Sequence, residues 1–128
     1  MYHAVGVVAP ESDFTPAQLL ARLTAQFPGF EVARTESGVS VSKGEWWITV
    51  AVRTGAGVAS EIEGLLGHVA GVEPAEAEKY VAGGTMIDAQ TDVPDPFMEH
   101  FNDYLTLVGV LKSFQGVLVI DPKSHDLL

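Results

Sequence analysis

Residues 30–53 constrain the fold more than any other stretch of the chain. Phe30, Val32 and Arg34 alternate with Glu31, Ala33 and Thr35, and Val39 and Val41 alternate with Ser40 and Ser42. Trp46, Ile48, Val50 and Val52 then alternate with Trp47, Thr49, Ala51 and Arg53. A period of two marks strands that bury one face. Glu36-Ser37-Gly38 and Lys43-Gly44-Glu45 separate the three runs. Connections this short join antiparallel neighbours, so the stretch reads as a three-stranded meander.

The flanking segments supply helices and further strands. Tyr2–Ala9 is apolar at successive positions, as a central strand is, and Pro10 ends it. Thr15, Pro16 and Gln18 form a capping signature, with Phe14 and Leu19 placed as a hydrophobic staple. Leu19, Leu20, Leu23 and Phe27 mark one helical face, which stops at Pro28-Gly29. Ser60 with Glu63 predicts a second capping box for a helix carrying Ile62, Leu65, Leu66 and Val69. Pro74–Ala82 reads as a third helix, and Thr85–Thr91 as a short strand. Asp95-Pro96 predicts the start of a helix over Phe97–Phe114, and Val117–Ile120 a last buried strand.

The order β-α-β-β-β-α-α-(β)-α-β predicts an α+β fold. The expected architecture is a two-layer sandwich, a mainly antiparallel sheet with helices packed on one face. At 128 residues with 47% hydrophobic content, one domain over residues 1–128 is expected.

Charge narrows the partners. Seventeen acids against seven bases give −10, the wrong sign for a general nucleic-acid binder. Without cysteine there is no disulfide framework, thiolate metal site or cysteine nucleophile. The N-terminus has no basic region before an apolar run, and no apolar stretch approaches the roughly 20 residues that span a bilayer. These features lead to the expectation of a soluble, cytoplasmic protein with no membrane or nucleic-acid partner. Its Ala, Gly and Val usage suits a bacterial, GC-rich source.

Catalytic motifs are missing. There is no Gly-x-x-x-x-Gly-Lys-Ser/Thr loop and no Gly-x-Ser-x-Gly elbow, and Gly55-Ala56-Gly57 lacks the third glycine of a dinucleotide fingerprint. Asp88-Ala-Gln-Thr-Asp92 fails the calcium-loop pattern. The four histidines are scattered, and the best local pair is His100 with Asp103. No catalytic residue, metal ligand or cofactor is therefore expected.

Two features stand out. Between Lys79 and Lys112 the chain carries Asp88, Asp92, Asp95, Glu99 and Asp103 without a single Lys or Arg. Such a stretch can steer a basic partner, although Asp95 has a capping role of its own. The second feature is the Trp pair. Trp46 keeps phase with the apolar side of its strand, so it belongs to the core; Trp47 keeps phase with Thr49, Ala51 and Arg53. A Trp beside Arg on a polar sheet face is a recognition composition, unless a helix or a terminus covers it. The expected function is a non-enzymatic, acidic protein-interaction domain that binds another protein, with neutralisation of a basic one as one version, or pairs with itself. Its expected binding residues are Trp47, Arg53, Asp88, Asp92 and Asp103. The alternative is a small-molecule- or metal-dependent enzyme with a site near His100 and Asp103.

Overall fold

The structure, a computed structural model, describes residues 2–128. Strand β1 (His3–Val8) leads to helix α1 (Pro16–Gln26), then to strands β2 (Glu31–Arg34), β3 (Gly38–Lys43) and β4 (Trp46–Thr54). Helices α2 (Ala56–Leu66) and α3 (Pro74–Gly83) precede β5 (Thr85–Gln90), α4 (Phe101–Lys112) and β6 (Val117–Ile120). All six strands join one sheet in the order β2-β3-β4-β5-β1-β6, and every neighbouring pair is antiparallel. This is the α+β architecture that the element order implies.

Register assigns each side chain to a face. Val41 opposes Ile48, Val39 opposes Val50, Val50 opposes Ala89, and Ala89 opposes Ala4. These residues point to one side, here the first face, with Trp46, Ile87 and Val119. Leu19 and Leu23 of α1 and Leu107 and Leu111 of α4 cover them, all four with no solvent exposure. Phe114 closes this layer against Phe14, the rings 5.0 Å apart and edge-on.

The sequence reading expects all helices on that one face, and α1 and α4 meet it. α2 and α3 lie on the second face. The reason is in β1, β5 and β6, which are apolar on both sides. Val5, Val7, Met86 and Ile120 point away from α1 and α4 and would be left in water without a second layer. Val58, Ile62, Leu66 and Tyr80 supply it. Thus the β5-β1-β6 half of the sheet is sandwiched and α2 also reaches over the Arg53 end of β4, whereas β2, β3 and the Trp47 end of β4 carry helices on the first face alone.

Local chemistry explains most element ends. The Thr15 hydroxyl accepts the Gln18 N–H at 3.1 Å, as the capping signature requires. α2 begins earlier than the Ser60–Glu63 pair suggests: Gly55, at φ 120°, turns the chain directly out of β4 into the helix. α4 begins later than expected. The Asp95 carboxylate accepts the N–H groups of Glu99 and His100, both at 2.9 Å, so it caps a turn and not the helix itself. Met98 at φ 56° breaks helical geometry, and α4 starts only at Phe101. At Gly83 the α3 backbone runs so close to β1 that a Cβ would fall 2.1 Å from the Val8 carbonyl oxygen. Among the described residues no helix is long and apolar enough to cross a membrane.

Candidate functional site

Where α2 ends its cover, the second face opens. Its exposed part is built from β2, β3, β4 and the Gln90 end of β5. Ser42 opposes Trp47, Ser40 opposes Thr49, Thr49 opposes Gln90, and Gln90 opposes His3. Ala51 opposes Asp88 in the next row. None of these side chains is buried, and Trp47 is partly exposed among small hydroxyl neighbours. Parity alone produces this outcome. Trp46 and Trp47 are adjacent in sequence, yet Trp46 is 4% exposed inside the first layer while Trp47 faces the open side.

A chain of charges runs along the boundary between the open sheet and α2. The Nη1 of Arg53 donates to Glu61 Oε2 of α2 at 2.8 Å, and its Nη2 to Oε1 at 3.4 Å. The same Nη2 lies 3.8 Å from Asp88 Oδ2. Asp88 Oδ1 in turn meets His3 Nε2 at 2.5 Å. The hydrogen bond to Glu61, with the added charges of Glu61 and Asp88, outweighs the cost of burial and holds the Arg53 guanidinium more firmly protonated than usual. The network links α2 to three strands of the sheet along the edge of the open surface.

Three of the five residues singled out from sequence, Trp47, Arg53 and Asp88, therefore share one surface. The other two do not join them. Asp92 is exposed in the loop after β5. Asp103 lies in the first turn of α4, which packs on the opposite face, with its Oδ2 3.0 Å from His100 Nδ1. The acidic run 88–103 thus divides between two sides of the sheet and does not form one face.

His100 stacks flat on Trp46, the rings 4.5 Å apart and 11° from parallel. With Asp103 on one nitrogen and an indole against its plane, this histidine is held in place by packing. Asp95 is equally committed. Besides its two backbone bonds it accepts the Tyr2 hydroxyl at 2.5 Å, and Tyr2 stacks on Tyr104 at 4.9 Å. Burial opposes ionisation of Asp95, but the Tyr2 hydroxyl and the N–H groups of His100 and Glu99 outweigh it, and the carboxyl is held below its ordinary value. Burial together with Asp95 pushes the Tyr2 phenol up to about 12. Among the described residues no group of three or more His, Asp or Glu side chains is arranged to hold a metal ion.

The sequence reading did not include His3 and Glu61 in this site. His3 stands 85 positions from Asp88 and joins it only because β1 pairs with β5. Glu61 meets Arg53 because α2 folds directly back over β4. No family model, curated protein or solved structure matches the chain.

Proposed function

We propose that this protein is a non-enzymatic interaction domain that binds a basic protein partner on the open half of its second sheet face. The observation that carries the reading is Trp47, partly exposed on an uncovered sheet among Ser40, Ser42 and Thr49. A tryptophan in such a place supplies large apolar contact area with a donor at its edge, the profile of a binding hot spot. Rigid strands present it, so little conformational freedom is lost on docking.

Charge supports the choice of partner. α2 bounds this surface and carries Glu61, paired with Arg53, and the exposed Glu63, with no Lys or Arg of its own. A basic partner seated on the open sheet would meet this wall at its rim, where charges speed encounter and exclude like-charged competitors. Neutralisation of that partner is the finer version of the same reading.

The test is capture from lysate of the source organism by wild type and by Trp47→Ala, at low and moderate salt. The expected result is a basic protein held by wild type, released by salt, and bound at least about tenfold more weakly by the variant. Retention unaffected by Trp47→Ala would refute this surface. The competing proposal, a metal- or small-molecule-dependent site at His100 and Asp103, would be favoured by a rise in melting temperature with Zn²⁺, Mn²⁺ or Ca²⁺ that His100→Ala abolishes.

A further inference from the structure

The most exposed large apolar side chains between the two termini lie on and just before α4, outside the open sheet face that carries Trp47. Phe97 is 84% exposed, Met98 59% and Leu105 47%. Single exposed leucines are ordinary, but a phenylalanine held almost wholly in water is not. Nor is it on a loose loop. The Asp95 carboxylate fastens the turn through Glu99 and His100, the Met98 N–H donates to the Asp95 carbonyl at 3.1 Å, and the Phe101 N–H to the Met98 carbonyl at 3.4 Å. The tip is presented in a fixed shape.

α4 itself carries an outward stripe of Asn102, Leu105, Gly109 and Lys112, all exposed. This stripe has a centre. The midpoint of Asn102 and Gly109 falls between Leu105 and Thr106; Glu99, in the turn that leads into α4, and Lys112, in its last turn, lie at the two ends. A two-fold axis at that point would set two α4 helices antiparallel, with Asn102 opposite Gly109, Leu105 beside its counterpart, and the turn that carries Glu99 brought towards the Lys112 end of the other helix. Glycine opposite a small polar residue lets the helices approach closely. The charge at each end approaches its opposite.

The same operation brings each Phe97 tip to the C-terminal half of the other α4. There the structure has a groove of about 480 Å³ between α1 and α4, lined by Ala25, Gln26, Gly109, Val110 and Ser113 among others. The molecule therefore carries both a projecting ring before α4 and a recess beside the C-terminal half of the same helix.

Net charge points the same way. Two chains of −10 each repel, and they approach at least cost through the side with fewest acids. The charged residues of α1 and α4 are Arg22, Asp103 and Lys112, and Asp103 is paired with His100. We infer that a second copy of this chain docks here, α4 crossing α4 antiparallel about Leu105, with Phe97 of each copy seated in the α1–α4 groove of the other.

Sedimentation equilibrium of the full chain over a wide concentration range tests this. Wild type is expected to dimerise. Phe97→Asp and Leu105→Glu are each expected to weaken the dimer by about thirtyfold or more while leaving the melting temperature of the dilute, monomeric chain unchanged, since both positions are exposed. Gly109→Arg, also at an exposed position, stands in if either variant fails to fold. Glu99→Lys and Lys112→Glu should each weaken it about two- to fivefold, and the two combined should restore it. A wild type that stays monomeric at its highest attainable concentration overturns the inference. So does a dimer indifferent to Phe97 and Leu105, and a charge swap without rescue overturns the antiparallel register.

Discussion

The two helical layers of this protein solve one packing problem with different surfaces. α1 and α4 cover the first face of the sheet and turn outward Ala21, Thr24, Ala25, Leu105 and Gly109, with few charges. α2 and α3 cover part of the second face and turn outward Glu61, Glu63 and Glu78. The buried sides are alike: Leu19, Leu23, Leu107 and Leu111 in one layer, Ile62 and Leu66 in the other. Burial dictates the inward side chains, whereas nothing in folding dictates the outward ones. The contrast between the outer surfaces is therefore where function is to be sought. It sets an acidic wall beside the open Trp47 surface and a nearly uncharged face at the opposite side.

The largest effects should come from the core of each layer. Leu107→Ala and Ile62→Ala each empty a fully buried site and should cost about 2–5 kcal/mol in chemical denaturation. The two clusters meet only through the sheet, so the losses should add within about 0.5 kcal/mol. A strong departure from additivity would mean that the layers are not independent.

Trp47→Ala separates function from folding on the second face. It should weaken partner binding at least about tenfold while changing stability far less than Leu107→Ala. Equal losses of binding and stability would make Trp47 a structural residue.

The turn before α4 makes the first layer pH-sensitive in a defined direction. Asp95 has a folded-state pKa below its ordinary value, so its contribution is full above the ordinary carboxylate range and is lost as pH falls through the folded value. Melting curves of wild type and Asp95→Asn should differ most near neutrality and converge on strong acidification. Tyr2 has the opposite sign. Its pKa is raised to about 12, so its contribution is present below its ordinary value near 10 and is lost as pH rises towards 12.

Smallest of all should be Arg53→Met. The side chain is 39% exposed, and partly solvated pairs of this kind contribute about 1 kcal/mol or less. A larger loss would show that the Glu61–Arg53–Asp88–His3 chain holds α2 in place.

The meander was legible because period two in residues 30–53 encodes both strand and inner face. The same parity separates Trp46 from Trp47 in the sequence itself. Thr15, Pro16 and Gln18 marked the start of α1 through local hydrogen bonding, which sequence spacing expresses directly. Three things were not legible, and each is non-local. The second helical layer depends on β1, β5 and β6 lying side by side, so that Val5, Val7, Met86 and Ile120 add up to one apolar patch. The start of α4 depends on Asp95 being drawn to Tyr2, 93 residues away. The His3–Asp88 contact depends on strand order. Five acids between Lys79 and Lys112 looked like one surface in sequence, but strand parity and the turn at Met98 send them to different sides.

The most direct measurement uses the chain's two tryptophans. In a ¹H–¹⁵N correlation spectrum, assigned with Trp46→Phe and Trp47→Phe, the side-chain indole N–H groups give two signals, one from a core residue and one from the open sheet. Titration with a lysine-rich peptide should move the Trp47 indole signal, together with backbone signals of Thr49, Gln90 and the exposed side of α2, and leave the Trp46 indole where it is. If the Trp47 signal stays fixed while the peptide perturbs α1, α4 or nothing at all, the open sheet face is not the surface that receives a basic partner.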